Sequence, residues 1–238
     1  MKTVLVIGGT SGIGRSFVSK CISESFNVVF IGRDEQSGKR IIEEVGTEFC
    51  TFLKGDISQS SSNQSLQHLL RDYESFDLVV NFAGVMHLSY MENREIDDWH
   101  EMIDVNTKGL LNVLNCTLPK LKEGSRFINI SSVAALSPST GNIVYAASKV
   151  ASDELVNGLR KEYASRKIIF STVHLGGVDS DLNNKINNPL MRRLIKSRTK
   201  TYTPLKKEDV CDILYSICSL DPSINIADIF ITPTDQPD

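Results

Sequence analysis

The chain has 238 residues, which is enough for one large domain with a substantial core. Its 41% hydrophobic and 23% charged residues are typical of a soluble globular protein, and the formal net charge of −3 argues against general affinity for nucleic acid or anionic membranes. No apolar run is long enough to span a bilayer, and the cysteines and histidines lack metal-ligand spacing. We therefore expect a cytoplasmic protein with reduced thiols, no metal site, and no nucleic-acid or membrane partner.

The first predicted strand, 4–7, runs directly into a glycine-rich stretch and then into a helical pattern. Glycines at such a turn let a dinucleotide pyrophosphate approach the backbone, and the helix N-terminus adds N–H donors. The sequence therefore predicts a cofactor-binding loop, with an ordinary tight turn as the alternative. The cofactor-binding residues predicted here are Gly8, Thr10, Ser11, Gly12, Ile13 and Gly14.

The second predicted strand, 27–31, ends at Gly32 and Arg33. In NAD-selective folds an acidic residue at this strand end binds the ribose 2′-hydroxyl. Gly32 stands where that acid is expected, and Arg33 offers a planar cation for a 2′-phosphate. The pattern favours NADP(H) over NAD(H), unless Arg33 is an ordinary surface residue.

A third predicted strand, 50–53, is followed by Asp56 and Ile57. Asp56 at a strand end can accept a hydrogen bond from an adenine amino group, with Ile57 against the ring. The alternative for Asp56 is a turn or helix cap. A fourth strand, 78–80, then leads into Asn81.

Strands alternate with helices along the chain, which predicts an α/β fold. We expect a Rossmann-like, doubly wound parallel sheet of about seven strands with helices on both faces, in one domain covering residues 1–238. Further predicted helices lie at 35–44, 66–73 and 208–220, and further predicted strands at 127–130, 168–174 and 229–231. A long helical pattern at 97–121 is interrupted by Asn106 and Gly109, and such a local inconsistency is expected at a functional site.

Ser132 follows the fifth predicted strand, and Tyr145 and Lys149 lie four residues apart in a predicted helix, 145–164. Residues at this spacing project from one helix face, and a nearby ammonium lowers a tyrosine pKa. The hydroxyl of Ser132 can donate and accept hydrogen bonds. The three groups can therefore converge on one carbonyl oxygen, although a Tyr and a Lys at this spacing are usually only a surface pair.

Together these motifs resemble those of the short-chain dehydrogenase/reductase family, in order and over nearly the whole chain. The glycine loop is similar to the family's cofactor loop, and residues 81–84 are similar to its Asn-Asn-Ala-Gly element with Phe82 in place of the second asparagine. Asn106 matches the family's mid-helix asparagine. Ser132, Tyr145 and Lys149 have the family's spacing. The resemblance implies a catalytic tetrad of Asn106, Ser132, Tyr145 and Lys149, with Asn81, Ala83, Gly84, Tyr145, Lys149, Gly176, Val178 and Ser180 also contacting the cofactor.

The resemblance implies an NADP(H)-dependent oxidoreductase that transfers a hydride between nicotinamide and a small-molecule carbonyl or alcohol. Ser132 would hold the carbonyl oxygen, Tyr145 would exchange the proton, and Lys149 would lower the tyrosine pKa. Asn106 would hold a water for proton return. The alternatives are a non-catalytic NADPH-binding sensor or scaffold on the same fold, and a sugar-nucleotide epimerase or dehydratase on a related fold.

In this fold the segment after the sixth strand usually covers the substrate, so residues 181–207 are predicted to form a lid. It is rich in cations and has no acidic residue between Leu182 and Glu208. Such a lid would attract an anionic substrate such as a 3-oxoacyl thioester, whereas the alternative is a solvated loop whose charges aid solubility. The cations are Lys185, Arg192, Arg193, Lys196, Arg198, Lys200, Lys206 and Lys207.

The predicted helix 145–164 carries an apolar stripe of Ala151, Leu155, Leu159 and Tyr163. Family members pair this helix and its neighbour across a two-fold axis, which implies a homodimer, with a homotetramer as the larger possibility. The alternative is that the stripe packs only on the chain's own sheet.

Two residues after the sixth predicted strand differ from the family pattern. Leu175 replaces the family's proline before Gly176, and Ser180 replaces a threonine while keeping its hydroxyl.

Overall fold

The computed structural model describes residues 1–59, 62–180, 182, 186 and 188–236. Its centre is a seven-stranded sheet in the order β3-β2-β1-β4-β5-β6-β7, and every pair of neighbouring strands is parallel. The predicted doubly wound α/β fold is thus confirmed. The strands are β1 Thr3–Ile7, β2 Asn27–Gly32, β3 Cys50–Lys54, β4 Phe76–Asn81, β5 Leu121–Ser132, β6 Ile169–Leu175 and β7 Asp228–Ile231.

Helices connect the strands and cover both faces of the sheet. They are α1 Gly12–Ser23, α2 Glu35–Val45, α3 Ser62–Leu69, α4 Ile96–Ile103, α5 Gly109–Thr117, α6 Ile143–Glu162, α7 Pro189–Arg198 and α8 Lys207–Cys218. A π-helical turn, Asp104–Lys108, joins α4 to α5, and a 3-10 turn, Leu118–Lys120, follows α5. The predicted helix at 97–121 is therefore four helical segments, and its last residue already belongs to β5.

Helix α7 lies in the predicted lid and was not predicted from the sequence. Asn188 caps it by accepting hydrogen bonds from the backbone N–H groups of Leu190 and Met191, and Pro189 occupies the first turn, where its missing N–H costs nothing. An asparagine followed by proline was the available signal. The surrounding polar composition concealed it.

Two apolar layers hold the helices on the sheet because alternate residues of each strand point to opposite faces. On one face, Val4 and Val6 of β1 pack with residues of α1, α2 and α8. On the other, Leu5 and Ile7 pack with residues of α3, α5 and α6. Burying each such side chain stabilises the fold by about 1.5–3 kcal/mol.

Strand β1 pairs with β2 on one side and with β4 on the other, so the strand order reverses there. In open α/β sheets, ligands bind outside the carboxyl ends of the strands at such a reversal. The loops that follow β1, β2, β4, β5 and β6 all leave this edge of the sheet. The topology therefore gathers the sequence motifs at one place.

The buried guanidinium of Arg126 on β5 joins the sheet to the segment after α8. It donates hydrogen bonds to the backbone carbonyls of Leu220, Asp221 and Ile224 at 2.9, 2.9 and 3.1 Å. These carbonyls follow the end of α8, and a cation close to a helix C-terminus is favourable. Arg126 thereby places the segment that leads into β7.

We predict that Arg126→Met lowers the free energy of unfolding by about 2–4 kcal/mol, because three partly buried hydrogen bonds to backbone carbonyls are lost. Urea unfolding measures this change. Arg40→Met on the exposed surface of α2 is the control, with an expected change within about 0.5 kcal/mol. Equal stability of the two variants would contradict the role given to Arg126.

Candidate active site

A cavity of about 950 Å³ opens at the carboxyl edge of the sheet. Ser132, Tyr145 and Lys149 line it, and so do all of the predicted cofactor-binding residues except Asn81. The predicted residues lining it are Gly8, Thr10, Ser11, Gly12, Ile13, Gly14, Arg33, Asp56, Ile57, Ala83, Gly84, Ser132, Tyr145, Lys149, Gly176, Val178 and Ser180. Asn81 and Asn106 are buried behind this lining.

Close backbone packing explains the glycines of the loop between β1 and α1. Gly8 has a φ of 79°, and a Cβ on it would lie 2.9 Å from the backbone nitrogen of Ala83. A Cβ on Gly14 would collide with the carbonyl oxygen of Gly8. The N-terminus of α1 thus meets the cavity at Gly12 with no side chain between, which suits a pyrophosphate.

Steric packing accounts for the glycine at the end of β2. A Cβ on Gly32 would collide with the side chain of Thr10, so an acidic residue does not fit there in this conformation. Arg33 lines the cavity and is about half exposed, with its guanidinium 3.9 Å from a carboxylate oxygen of Glu101. This acidic neighbour of Arg33 was not predicted from the sequence. Asp34 caps α2 by accepting hydrogen bonds from Gln36 and Ser37.

Asp56 caps a turn, which was the alternative role considered for it. Its Oδ1 accepts hydrogen bonds from the backbone N–H of Ser58 at 2.9 Å and from the Ser58 hydroxyl at 2.7 Å. Asp56 and Ile57 both line the cavity beside the glycine loop. The adenine contacts given to these two residues stay predictions.

The turn after β4 is held from behind by Asn81. Its Nδ2 donates to Asn129 Oδ1 of β5 at 2.9 Å, and its Oδ1 accepts from the Ala83 N–H at 3.3 Å. Phe82, which replaces an asparagine, packs its ring 5.4 Å from that of Phe17 on α1. Ala83 and Gly84 then face the cavity, whereas Asn81 shapes their turn.

Asn106 sits in the π-helical turn, where a wider hydrogen bond runs from Gly109 N–H to the carbonyl of Asp104. Its side-chain Nδ2 donates to the Val85 carbonyl and to Ser148 Oγ, both at 2.9 Å, and its Oδ1 accepts from Val85 N–H at 2.9 Å. The side chain therefore ties the loop after β4 to helix α6. Ser148, which the sequence analysis missed, also donates to the carbonyl of Tyr145 at 2.7 Å. Water binding by Asn106 stays a prediction.

Ser132 and Tyr145 meet inside the cavity, where their side chains are hydrogen-bonded. Burial raises the pKa of Tyr145 to about 12, and the hydrogen bond from Ser132 only partly opposes this effect. The expected lowering of this pKa by Lys149 is therefore wrong for this structure. Desolvation of the phenolate sets the direction of the shift, and the Nζ of Lys149 donates to the Ile130 carbonyl at 3.0 Å. Burial also lowers the pKa of Lys149 to about 8.

Uncharged side chains form the part of the lid that faces the cavity. Within the described residues, those of the lid that line it are Leu182, Ile195, Thr199 and Tyr202. Arg192 instead turns back on its own segment and donates to the Ile186 carbonyl through Nε at 2.9 Å. Lys185 and the side chain of Arg198 lie outside the described part of the chain. The predicted basic surface thus does not line the cavity where the structure describes it.

The chain's C-terminal segment completes the cavity wall, which the sequence analysis did not anticipate. Phe230, Thr232 and Gln236 line the cavity, and Gln236 Oε1 accepts a hydrogen bond from Gly177 N–H at 2.7 Å. Gly176 N–H donates to the Ile231 carbonyl at 2.9 Å. These contacts hold the turn after β6, in which Leu175 replaces a proline of the related motif.

The comparisons with known proteins agree with this geometry. The model of the short chain dehydrogenase family matches residues 2–190. An uncharacterized oxidoreductase of Staphylococcus epidermidis is 32% identical over 184 residues, which cover 76% of this chain and 80% of that protein. A 3-oxoacyl-(acyl-carrier-protein) reductase of Aquifex aeolicus is 26% identical over 228 residues, covering 92% of this chain and 90% of that protein. The structure of BdcA in complex with NADPH has a TM-score of 0.83 and 25% identity, over 98% of this chain and 94% of that chain.

The protein therefore belongs to the short-chain dehydrogenase/reductase family and is an oxidoreductase of that family. None of its described helices is long and apolar enough to cross a membrane.

We predict that Asn106→Ala lowers the free energy of unfolding by about 2–4 kcal/mol, because the partly buried backbone groups of Val85 and the buried hydroxyl of Ser148 lose their partner. Urea denaturation measures the loss. Asn93→Ala, at an exposed position, is the matched control and should change stability little. A stable Asn106→Ala protein would show that these three hydrogen bonds do not hold the site together.

Proposed function

We propose that the protein is an NADP(H)-dependent oxidoreductase that interconverts a small-molecule carbonyl and its alcohol. The observation that carries this proposal is the convergence of Ser132, Tyr145 and Lys149 in the same cavity as the glycine loop and the N-terminus of α1. Ser132, Tyr145 and Lys149 supply polar groups for a carbonyl oxygen, and the glycine loop leaves room for a pyrophosphate. When bound, the nicotinamide cofactor supplies the hydride.

In this proposal Tyr145 donates the proton that the carbonyl oxygen receives. A pKa of about 12 keeps the phenol protonated at neutral pH, which is the state that carbonyl reduction requires. Ser132, already hydrogen-bonded to Tyr145, orients the same oxygen. Lys149 contributes a buried ammonium, and Asn106 supports the helix that carries Tyr145 and Lys149 through its bond to Ser148.

We predict that Tyr145→Phe reduces turnover by roughly 10²- to 10⁴-fold while NADPH still binds, because only the acidic hydroxyl is lost. NADPH absorbance, followed against a panel of ketones and aldehydes, measures the turnover, and NADPH fluorescence measures binding. Tyr163→Phe, at the C-terminal end of α6 and not among the residues that line the cavity, is the control.

The same experiment separates this function from the alternative of a non-catalytic NADPH sensor or scaffold. A sensor would bind NADPH without oxidising it for any carbonyl, and both tyrosine variants would then behave alike. Substantial activity in Tyr145→Phe would remove Tyr145 from the mechanism.

NADP(H) is the proposed cofactor. The site of Gly32 has no room for the acid that selects NAD, and Arg33 places a half-exposed guanidinium at the cavity. BdcA, the structural relative described above, binds NADPH. Glu101 is the group that opposes this preference, because its carboxylate lies 3.9 Å from the guanidinium of Arg33.

We predict that Arg33→Ala weakens NADPH binding by roughly tenfold or more and NADH binding much less, because NADH has no 2′-phosphate. Glu101→Gln should shift the preference the other way, since it removes a negative charge beside the phosphate site and keeps a hydrogen-bonding group for His87. Fluorescence titration with both cofactors measures the two effects. Equal losses for both cofactors in Arg33→Ala, or a wild-type preference for NADH, would refute the assignment.

The substrate proposed here is a carbonyl compound with a partly apolar body. The part of the cavity proposed for the substrate is lined by residues such as Leu136, Ile195 and Phe230, together with Tyr202. A 3-oxoacyl thioester fits this description, and the relative from Aquifex aeolicus is named for reducing one. The lid cations would act on such a substrate from outside the cavity, by attraction to a phosphate-bearing carrier. A ketone panel with and without an acyl carrier tests this choice directly.

We propose a homodimer that pairs α5 and α6 of two copies, with the protein placed in the cytoplasm. The predicted stripe does not support this pairing, because Leu155, Leu159 and Tyr163 pack against the chain's own core. The exposed side chains of Leu111 on α5 and Val150 on α6 do support it. We predict a mass of twice 26.4 kDa by light scattering and a monomer for Leu111→Glu, because a buried charge opposes association. A wild-type monomer at micromolar concentration would refute the proposal.

A further inference from the structure

A buried polar cluster lies next to Lys149 and reaches from the cavity wall at Ser131 to Asp153 and His174, which do not line the cavity. Its members are Ser131 at the end of β5, Asp153 on α6 and His174 on β6. Ser131 Oγ donates to Asp153 Oδ2 at 2.9 Å, and His174 Nδ1 lies 3.7 Å from the same oxygen. Nothing in the catalytic proposal above uses these three side chains.

At the outer end of the cluster, the carboxylate of Asp228 is paired with both His174 and Arg160. His174 Nε2 lies 3.1 Å from Asp228 Oδ1 at the edge of the sheet, and Arg160 pairs with the other oxygen of Asp228 at 3.3 Å. The His174 ring also stacks on Phe230, with centroids 4.7 Å apart. His174 is thereby fixed, and the charge of Asp228 already has a cationic partner.

The carboxylate of Asp153, at the inner end of the cluster, has fewer hydrogen-bond partners than that of Asp228. Asp153 Oδ1 and His174 Nδ1 are buried and have no hydrogen-bond partner in the described part of the protein. Burying a carboxylate is costly unless a cation compensates it. Asp153 lies one helical turn after Lys149, at a spacing that puts both side chains on one face of α6. Lys149 is thus the cation placed to compensate it.

We propose that Asp153 is a positioning residue that holds Lys149 in its charged form, with Ser131 and His174 keeping the Asp153 carboxylate in place. The proposal deepens the function argued above and rests on the place of Lys149 in that site. Lys149 itself faces the cavity and Ile130, whereas Asp153 acts on it from behind.

The pKa values agree with this geometry. Burial lowers the pKa of Lys149, and the charge of Asp153 raises it again, so that it stays at about 8. The pKa of Asp153 is raised overall, chiefly by burial and also by the charge of Asp228, and Ser131, His174 and Lys149 each oppose this rise. The titratable or charged groups around the pair are Tyr145 on α6, His174 on β6, and Asp228 with Arg160 beyond it. The neighbouring turn contributes the neutral Asn106.

Lys149 is charged below its pKa and loses its proton above it, so removing the charge of Asp153 moves this loss to lower pH. An opposite charge within about 4–6 Å shifts a pKa by about one unit or more. Asp153→Asn should therefore lower the titration midpoint of Lys149 by about one pH unit.

The test follows Lys149 itself and needs neither cofactor nor substrate. Lysine labelled with ¹³C at Cε is incorporated into the protein, and the Lys149 signal is assigned by its loss in Lys149→Met. The signal is then titrated by NMR in the wild type, in Asp153→Asn and in Asp153→Ala. Glu154→Gln is the control, because it makes the same chemical change one residue further along α6 on the exposed side. We expect a lower midpoint in both Asp153 variants and an unchanged one in the control.

Thermal unfolding shows whether each Asp153 variant is folded. If one of the two does not fold, the titration of the other still decides the outcome. An unchanged Lys149 midpoint in a folded Asp153 variant would overturn the proposal and leave the cluster with a structural role. The alkaline limb of kcat/KM for a carbonyl substrate should move in parallel with the NMR midpoint. If no carbonyl is reduced by the wild type, the proposed function fails, but the NMR titration still decides the role of Asp153.

Discussion

Backbone crowding at the carboxyl end of β1 is the constraint on which the site depends. Gly8 adopts a left-handed conformation against the turn at Ala83, and Gly14 approaches the carbonyl of Gly8 too closely for any side chain. The N–H groups of Gly8 and Gly9 both donate to the Ile31 carbonyl at the end of β2. Three loops are thereby held within contact distance. At Gly8, Gly12 and Gly14 the cavity is consequently lined by backbone, which a phosphate group can approach.

Buried polar groups form a second layer that sets the position of helix α6. Asn106, Ser148, Lys149 and Asp153 are all largely removed from solvent, and leaving such groups without partners would cost about 1–3 kcal/mol each. The π-helical turn places the Asn106 side chain between the loop after β4 and α6. An irregular helical turn is thus what connects the cofactor side of the cavity to the helix that carries Tyr145.

Much of the architecture was predictable because it depends on local patterns. Alternating apolar strands and amphipathic helices indicate a parallel sheet, and the strand ends mark where its loops gather. The helix α7 was missed because its polar residues hid the capping signal of Asn188 and Pro189. The wall formed by Phe230, Thr232 and Gln236 was missed because contacts between residues about 60 positions apart leave no periodic signal in the chain.

The sequence by itself determined the class of fold, the glycine loop and the spacing of Ser132, Tyr145 and Lys149, because turns and helical periodicity are encoded within a few neighbouring residues. Only the tertiary structure decided the electrostatics of the site. Burial raises the pKa of Tyr145 to about 12, and the fold encloses Asp153 and His174 beside Ser131 and Lys149. Desolvation depends on everything packed around a group, so residue spacing alone does not reveal it.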